Sequence, residues 1–205
     1  MILRAGALLK DVSAVAARNG LTGLEFASGI PGSIGGAIFM NAGAYDGEMK
    51  NVAYAVRTVD RAGQVHTYQR EELALGYRHS VFQDNGEAIC EVELSLHPGD
   101  RAAIDAKIAD FTQRRESKQP LEMPSAGSTF KRPKGYFAGT LIDQTGLKGL
   151  RVGGAAVSMK HAGFVVNVDH ATAADVLGVI HEVQKRVFAA HGVELHPEVR
   201  IIGEE

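Results

Sequence analysis

One cysteine, Cys90, stands among 205 residues, and tryptophan is absent. A lone thiol excludes an intramolecular disulfide framework and a cysteine-based zinc cluster, and fits a reducing compartment. An excess of one charge is lacking too. Twenty-two basic residues against 24 acidic ones leave a net −2, so nothing in the balance points to nucleic acid or to an anionic membrane. No apolar run approaches the roughly 20 residues needed to span a bilayer. The opening Met1-Ile2-Leu3-Arg4-Ala5-Gly6-Ala7-Leu8-Leu9-Lys10 has neither the apolar core nor the small-residue cleavage site of a signal peptide. The expectation is a soluble cytoplasmic protein with no membrane insertion. Histidines number eight, but His191, His196 and Glu198 lack the one-face helical spacing of a metal motif, so no metal is expected.

Glycine is plentiful, with 24 residues, and it gathers where it matters. In Gly29-Ile30-Pro31-Gly32-Ser33-Ile34-Gly35-Gly36-Ala37-Ile38-Phe39-Met40-Asn41-Ala42-Gly43, five of fifteen positions are glycine. Without a Cβ, such backbone can lie directly against a flat or phosphorylated ligand. Turn chemistry at Ile30-Pro31-Gly32 followed by a small, apolar run predicts a tight turn feeding a short helix, with its first N–H groups free for a diphosphate. Neither G-x-G-x-x-G nor a P-loop lysine is present. A plain packing turn between two elements remains the alternative.

Along the chain, Ile2 to Gly6 reads as a strand end and Ala7 to Asn19 as a helix burying Val12, Val15 and Ala16. Val52–Asp60 and Gln64–Gln69 flank Arg61-Ala62-Gly63 as a hairpin, and Glu87–His97 is a further strand. Pro98-Gly99-Asp100 marks a domain boundary, with Asp100 capping a helix striped by Ile104, Ile108 and Phe111. Arg115 and Lys118 continue that stripe, either as a solvated cluster or as an anion clamp. A short helix after Gly135 is expected to turn Phe137, Leu141 and Ile142 inward, and Phe164–Val168 is a strand. The last helix opens on the capping box Thr172-x-x-Asp175, buries Val176, Ile180, Val183 and Val187, and ends at Gly192. A closing strand is expected over Val193–Gly203. Taken bare, Arg78 is a surface or structural cation and Glu198 an exposed strand carboxylate. Ser125 and Ser128 do not form the G-x-S-x-G nucleophile elbow.

Four segments change those readings. The run GLTGLEFASGIPGSIGGAIFMNAGAY, the signature Tyr77-Arg78-x-Ser80-x-Phe82, the stretch Pro124-Ser125-Ala126-Gly127-Ser128-Thr129-Phe130-Lys131-Arg132-Pro133 and the closing Pro197-Glu198-Val199-Arg200 resemble, in that order, the UDP-N-acetylenolpyruvoylglucosamine reductase (MurB) family, in its shorter, type II branch. The resemblance implies an α+β fold: the C-terminal part of a PCMH-type FAD-binding domain over 1–97, then a MurB-type substrate-binding domain over 98–205. It also carries the expectation that the family's N-terminal FAD-binding lobe is not in this chain.

What the resemblance implies for function is the FAD-dependent, NADPH-driven reduction of UDP-N-acetylglucosamine enolpyruvate to UDP-N-acetylmuramate, a step of peptidoglycan synthesis. Gly29, Ile30, Pro31, Gly32, Ser33, Gly35, Gly36, Asn41 and Gly43 would lie along FAD. Tyr77, Lys118, Arg132 and His161 would meet the sugar nucleotide. Arg78 would grip the enolpyruvyl carboxylate, Ser128 would give a proton to C2, and Glu198, if protonated or bridged by water, would donate a hydrogen bond to the developing negative charge or help supply that proton. Two other readings remain open: a catalytically inactive UDP-sugar-binding fragment, and a different flavin oxidoreductase of the same superfamily.

Overall fold

The computed structural model describes residues 1–203. The chain forms two compact units, Met1–Arg115 and one beginning at Glu116. The division falls later than the boundary expected at Pro98-Gly99-Asp100. The cause lies in the helix that follows, whose Phe111 joins the first unit's core.

The first unit contains β1 (Ile2–Arg4), α1 (Leu9–Arg18), β2 (Leu21–Thr22), α2 (Ile34–Phe39), β3 (Gly43–Ala44), β4 (Gly47–Glu48), β5 (Ala53–Val59), β6 (Val65–Gln69), α3 (Phe82–Asn85), β7 (Ala88–Leu94), β8 (His97–Pro98) and most of α4 (Arg101–Lys118). Its main sheet is antiparallel in the order β1-β7-β5-β6. Two turns follow directly from sequence. Asp60 Oδ1 accepts from the Ala62 and Gln64 amides at 2.8 and 2.9 Å, closing the β5–β6 hairpin with Gly63 at φ +80°. Tyr45 and Asp46 both take positive φ between β3 and β4, as a two-residue hairpin turn of type I′ requires. Alternation along β5 and β7 turns Val56, Val92 and Leu94 to one face. That face packs with Leu9, Val12 and Ala16 of α1, Ile34 and Ile38 of α2, and Phe82. Asp100 caps α4 as expected, its Oδ2 accepting from Ala103 N at 3.0 Å.

The second unit comprises β9 (Ser125–Ser128), α5 (Ala138–Gln144), β10 (Arg151–Val152), β11 (Ala155–Val157), β12 (Phe164–Asn167) and α6 (Ala173–His191). Its sheet, again antiparallel, runs β10-β11-β12-β9. Leu141 and Ile142 of α5 join Val179, Ile180, Val183 and Val187 of α6 over Ala155, Val157 and Val165. Thr172 and Asp175 form the expected reciprocal capping box and Gly192 ends α6 at φ +67°.

Two expectations fail in this unit. Phe137 is 60% exposed instead of packing inward, because it sits one residue before α5 with the Arg132 guanidinium stacked 4.0 Å from its ring centroid. The segment after α6 is also no strand. Among the described residues the segment forms one isolated bridge, Pro197 to Phe130, while Leu195 anchors it by burial.

Candidate functional site

In the first unit the glycine run starts beneath a side chain. A Cβ on Gly29 would come within 2.9 Å of Arg115 Cδ, so the arginine stem rests on bare backbone. Burial there lowers the pKa of the guanidinium. Gly32, at φ +113°, turns the chain into Ser33, whose Oγ accepts from Gly36 N at 3.3 Å and caps α2. The expectation of free first-turn amides needs correction. Ile34 N donates to Ala7 O at 2.8 Å and Gly35 N to Ala5 O at 2.9 Å, so these groups dock α2 against the segment after β1 and offer nothing to a diphosphate. Gly35 is therefore a packing glycine, since a Cβ would stand 2.8 Å from that of Ala5. Gly43 likewise permits the β3–β4 hairpin, where a Cβ would meet Gly47 O at 2.8 Å.

Gly6, Ser33, Gly36 and Phe39 line an open cleft of about 450 Å³, closed on its other side by Glu87, Ala88 and Ile89. Glu87 accepts from Thr58 Oγ1 and, at 2.7 Å, from Tyr68 OH, and these bonds hold its carboxyl below the usual carboxylate range against the opposing effect of burial. The wall thus carries negative charge beside exposed backbone. Such a cleft suits a flat group bearing hydroxyls or amines and disfavours phosphate. Nothing in the sequence distinguishes Glu87 except its place at the start of the strand expected over 87–97.

The side chain of Asn41 is bonded within the protein. It is 1% exposed, and its carboxamide donates to Glu48 Oε2 (3.0 Å) and Gly76 O (2.9 Å) while accepting from Lys50 N (2.9 Å). Its side chain ties the glycine run to the loop that carries Arg78. In that loop Gly76 and His79 exchange backbone hydrogen bonds at 3.1 and 3.2 Å, and Arg78 adopts φ +52°, unusual for a residue with a Cβ. The Arg78 guanidinium lies 5.3 Å from the centroid of the Tyr77 ring, which is 58% exposed.

The second unit gathers the other expected residues. Ser128 ends β9 opposite Phe164. Its successor Thr129, buried, donates its amide to Gly163 O at 2.9 Å and accepts from Glu198 N at 2.8 Å. Thr129 Oγ1 also accepts from Val165 N at 3.0 Å. Ser128, the turn at His161–Gly163 and Glu198 are thereby held by one backbone junction. His161 Nδ1 accepts from Gly163 N at 3.0 Å, so a neutral ring carries its proton on Nε2. Burial lowers its pKa, and the nearby Lys148 and Lys118 charges add to the effect. Lys118 was expected here. Lys148, which also pairs with Asp143 at 2.9 Å, was not, and neither was Thr129. Arg132 lies against exposed Phe137, as described above.

Comparison with known proteins bears on these arrangements. Residues 119–202 match the family model described as UDP-N-acetylenolpyruvoylglucosamine reductase, C-terminal domain, and residues 1–69 match that of an FAD binding domain. A UDP-N-acetylenolpyruvoylglucosamine reductase from Lactiplantibacillus plantarum is 54% identical over 205 residues, covering 100% of this chain and 68% of the relative. The chain belongs to the UDP-N-acetylenolpyruvoylglucosamine reductase family. Another reductase of that name, from Clostridium perfringens, is 59% identical over 202 residues, or 98% of this chain and 66% of the relative. The crystal structure of the Thermus caldophilus reductase (MurB) matches with a TM-score of 0.86 at 40% identity, covering 97% of this chain and 71% of that one. The chain thus spans about two thirds of the length of the curated reductases it matches. Membership also accounts for the α+β build, an FAD-type unit followed by a reductase C-terminal unit.

Proposed function

We propose that this chain carries the substrate-reducing machinery of a UDP-N-acetylenolpyruvoylglucosamine reductase, acting in the cytoplasm on UDP-N-acetylglucosamine enolpyruvate. Bound FAD, reduced by NADPH, supplies a hydride to the enolpyruvyl C3. Exposed backbone at Gly32 and Gly36 and the cleft beside them fit a flat cofactor, with Ser33 and Glu87 available to polar groups on its rim. The diphosphate has to be met by groups other than the occupied amides of α2.

Hydride arrival at C3 leaves negative charge on C2 and its carboxylate. Arg78 holds the carboxylate through a planar, permanently charged fork, which stabilises the enediolate as it forms. Ser128 gives its hydroxyl proton to C2. A serine is a weak acid, but the carbanionic centre is strongly basic, so placement counts for more than pKa. Glu198, protonated or through a bridging water, presents a hydrogen-bond donor to the same charge. His161, neutral with Nε2–H outward from its internal bond, donates to substrate oxygen, and Lys118 and Lys148 attract the diphosphate.

The observation that supports this reading is the backbone bond from Glu198 N to Thr129 O, which ties the segment bearing Glu198 to the residue after Ser128, about seventy positions away in sequence. Stopped-flow measurement of the two half-reactions tests it. In Arg78→Ala, oxidation of the reduced flavin by the enolpyruvyl substrate should slow by at least about 100-fold. A parental rate would remove Arg78 from the site.

A further inference from the structure

The backbone of Arg78 is held where it would not rest by itself. At φ +52° a non-glycine residue sits in the left-handed region, which a side chain with a Cβ disfavours. The carbonyl that follows this strained φ is not left to solvent. Gln83 Nε2 donates to Arg78 O at 3.0 Å and also to Phe39 O, the last carbonyl of α2, at 2.8 Å. Ser80 Oγ donates to the same Phe39 O at 2.8 Å. Helix α2 ends here, so its C-terminal carbonyls need partners from elsewhere. One half-buried carboxamide therefore joins the end of the glycine-rich helix to the residue proposed to grip the substrate.

We propose that Gln83 is a positioning residue for Arg78: its carboxamide, bridging Phe39 O and Arg78 O, fixes the left-handed backbone that aims the guanidinium at the enolpyruvyl carboxylate. The inference rests on the proposed role of Arg78 and adds the device that sets its direction. Gln83 touches no reacting atom. It acts by removing alternative backbone states of the 76–79 turn, so the guanidinium need not be ordered when substrate arrives. It also couples the glycine wall to the substrate grip, since α2 and Arg78 share one donor. A donor at this position is required, whereas an apolar side chain of the same length is not sufficient.

The test is substrate affinity in the FAD-loaded protein, titrated through the flavin spectrum with UDP-N-acetylglucosamine enolpyruvate. Gln83→Met keeps length and bulk but removes the donor. It should raise Kd about tenfold, while the rate of flavin reduction by NADPH stays within about twofold of the parent. Gln83→Lys restores a donor that can reach both carbonyls and should bring Kd back to within about threefold. The decisive step is the double variant. If Gln83 acts through Arg78, adding Gln83→Met to Arg78→Ala should raise Kd no further. An unchanged Kd in Gln83→Met, or the same tenfold loss with Arg78 already gone, would overturn the inference while leaving the role of Arg78 standing. An Arg78→Ala protein that binds substrate as tightly as the parent would overturn both. A fall in thermal stability in Gln83→Met with Kd unaltered would make the bridge structural only.

Discussion

Individual residues in this chain do their work through one or two bonds whose loss has a definite consequence. Thr129 is the clearest case: buried, it joins Gly163, Val165 and Glu198 to the end of β9. Thr129→Val keeps the shape but leaves Val165 N without its acceptor, and should cost about 1–3 kcal/mol in urea unfolding with the m-value unchanged. His161 makes a prediction with a sign. Burial, reinforced by Lys148 and Lys118, lowers its folded pKa below the ordinary value near 6.5. Below about pH 6.5 the unfolded chain therefore binds a proton that the folded chain resists, so stability falls as pH drops through that window and is fully present above it. His161→Gln should remove this acid-side loss and have little effect on the pH dependence above about pH 7.5. Parallel melting curves in the parent and variant across pH 5–8 would reveal it, and identical pH slopes would contradict it. At this scale the sequence was only partly legible. Arg78, Ser128 and Glu198 are proposed from signature alone, whereas Thr129 and Lys148 carry no signature, because their meaning lies in which distant carbonyl or ring they reach.

Elements were easier to read than their connections. The β5–β6 hairpin, the Asp100 cap and the Thr172–Asp175 box all follow from local rules and formed as the pattern implied, while the α1 stripe buries Val12 and Ala16 but leaves Val15 half-buried. What local rules could not supply was the use of α2. Its length and start were visible, but its first amides proved to be taken by Ala5 and Ala7 carbonyls, a tertiary fact. Gly35→Ala tests that docking: the added methyl would sit 2.8 Å from Ala5 Cβ and 3.1 Å from Ala5 O, so α2 must withdraw from β1. The protein should lose stability by roughly 1–3 kcal/mol and take up FAD less tightly. Unchanged flavin retention would detach the helix from the cofactor wall. The closing segment misled because Val193–Gly203 alternates apolar and polar residues like a strand, yet only one isolated bridge forms. Burial of Leu195 and the Gln184 Nε2 bond to its carbonyl, 2.8 Å, hold the segment instead.

Across the whole molecule, two independently packed units carry the proposed chemistry in halves. The first bears the glycine wall and an arginine fixed in a strained loop. The second brings a serine, a glutamate and a half-buried histidine to one junction, with basic side chains around it. Family membership accounts for why such distant segments occur together in one chain. The compact units divide after Arg115, beyond Pro98-Gly99-Asp100, since a helix can begin after such a break and still bury Phe111 in the unit it has just left. The central claim is that this chain's residues act on the enolpyruvyl group after the flavin has been reduced. Stopped-flow spectroscopy of Ser128→Ala in the FAD-loaded protein tests it most directly. Bleaching by NADPH should proceed at close to the parental rate, while reoxidation by UDP-N-acetylglucosamine enolpyruvate should fall by about 100-fold or more. Reoxidation at the parental rate would contradict the account.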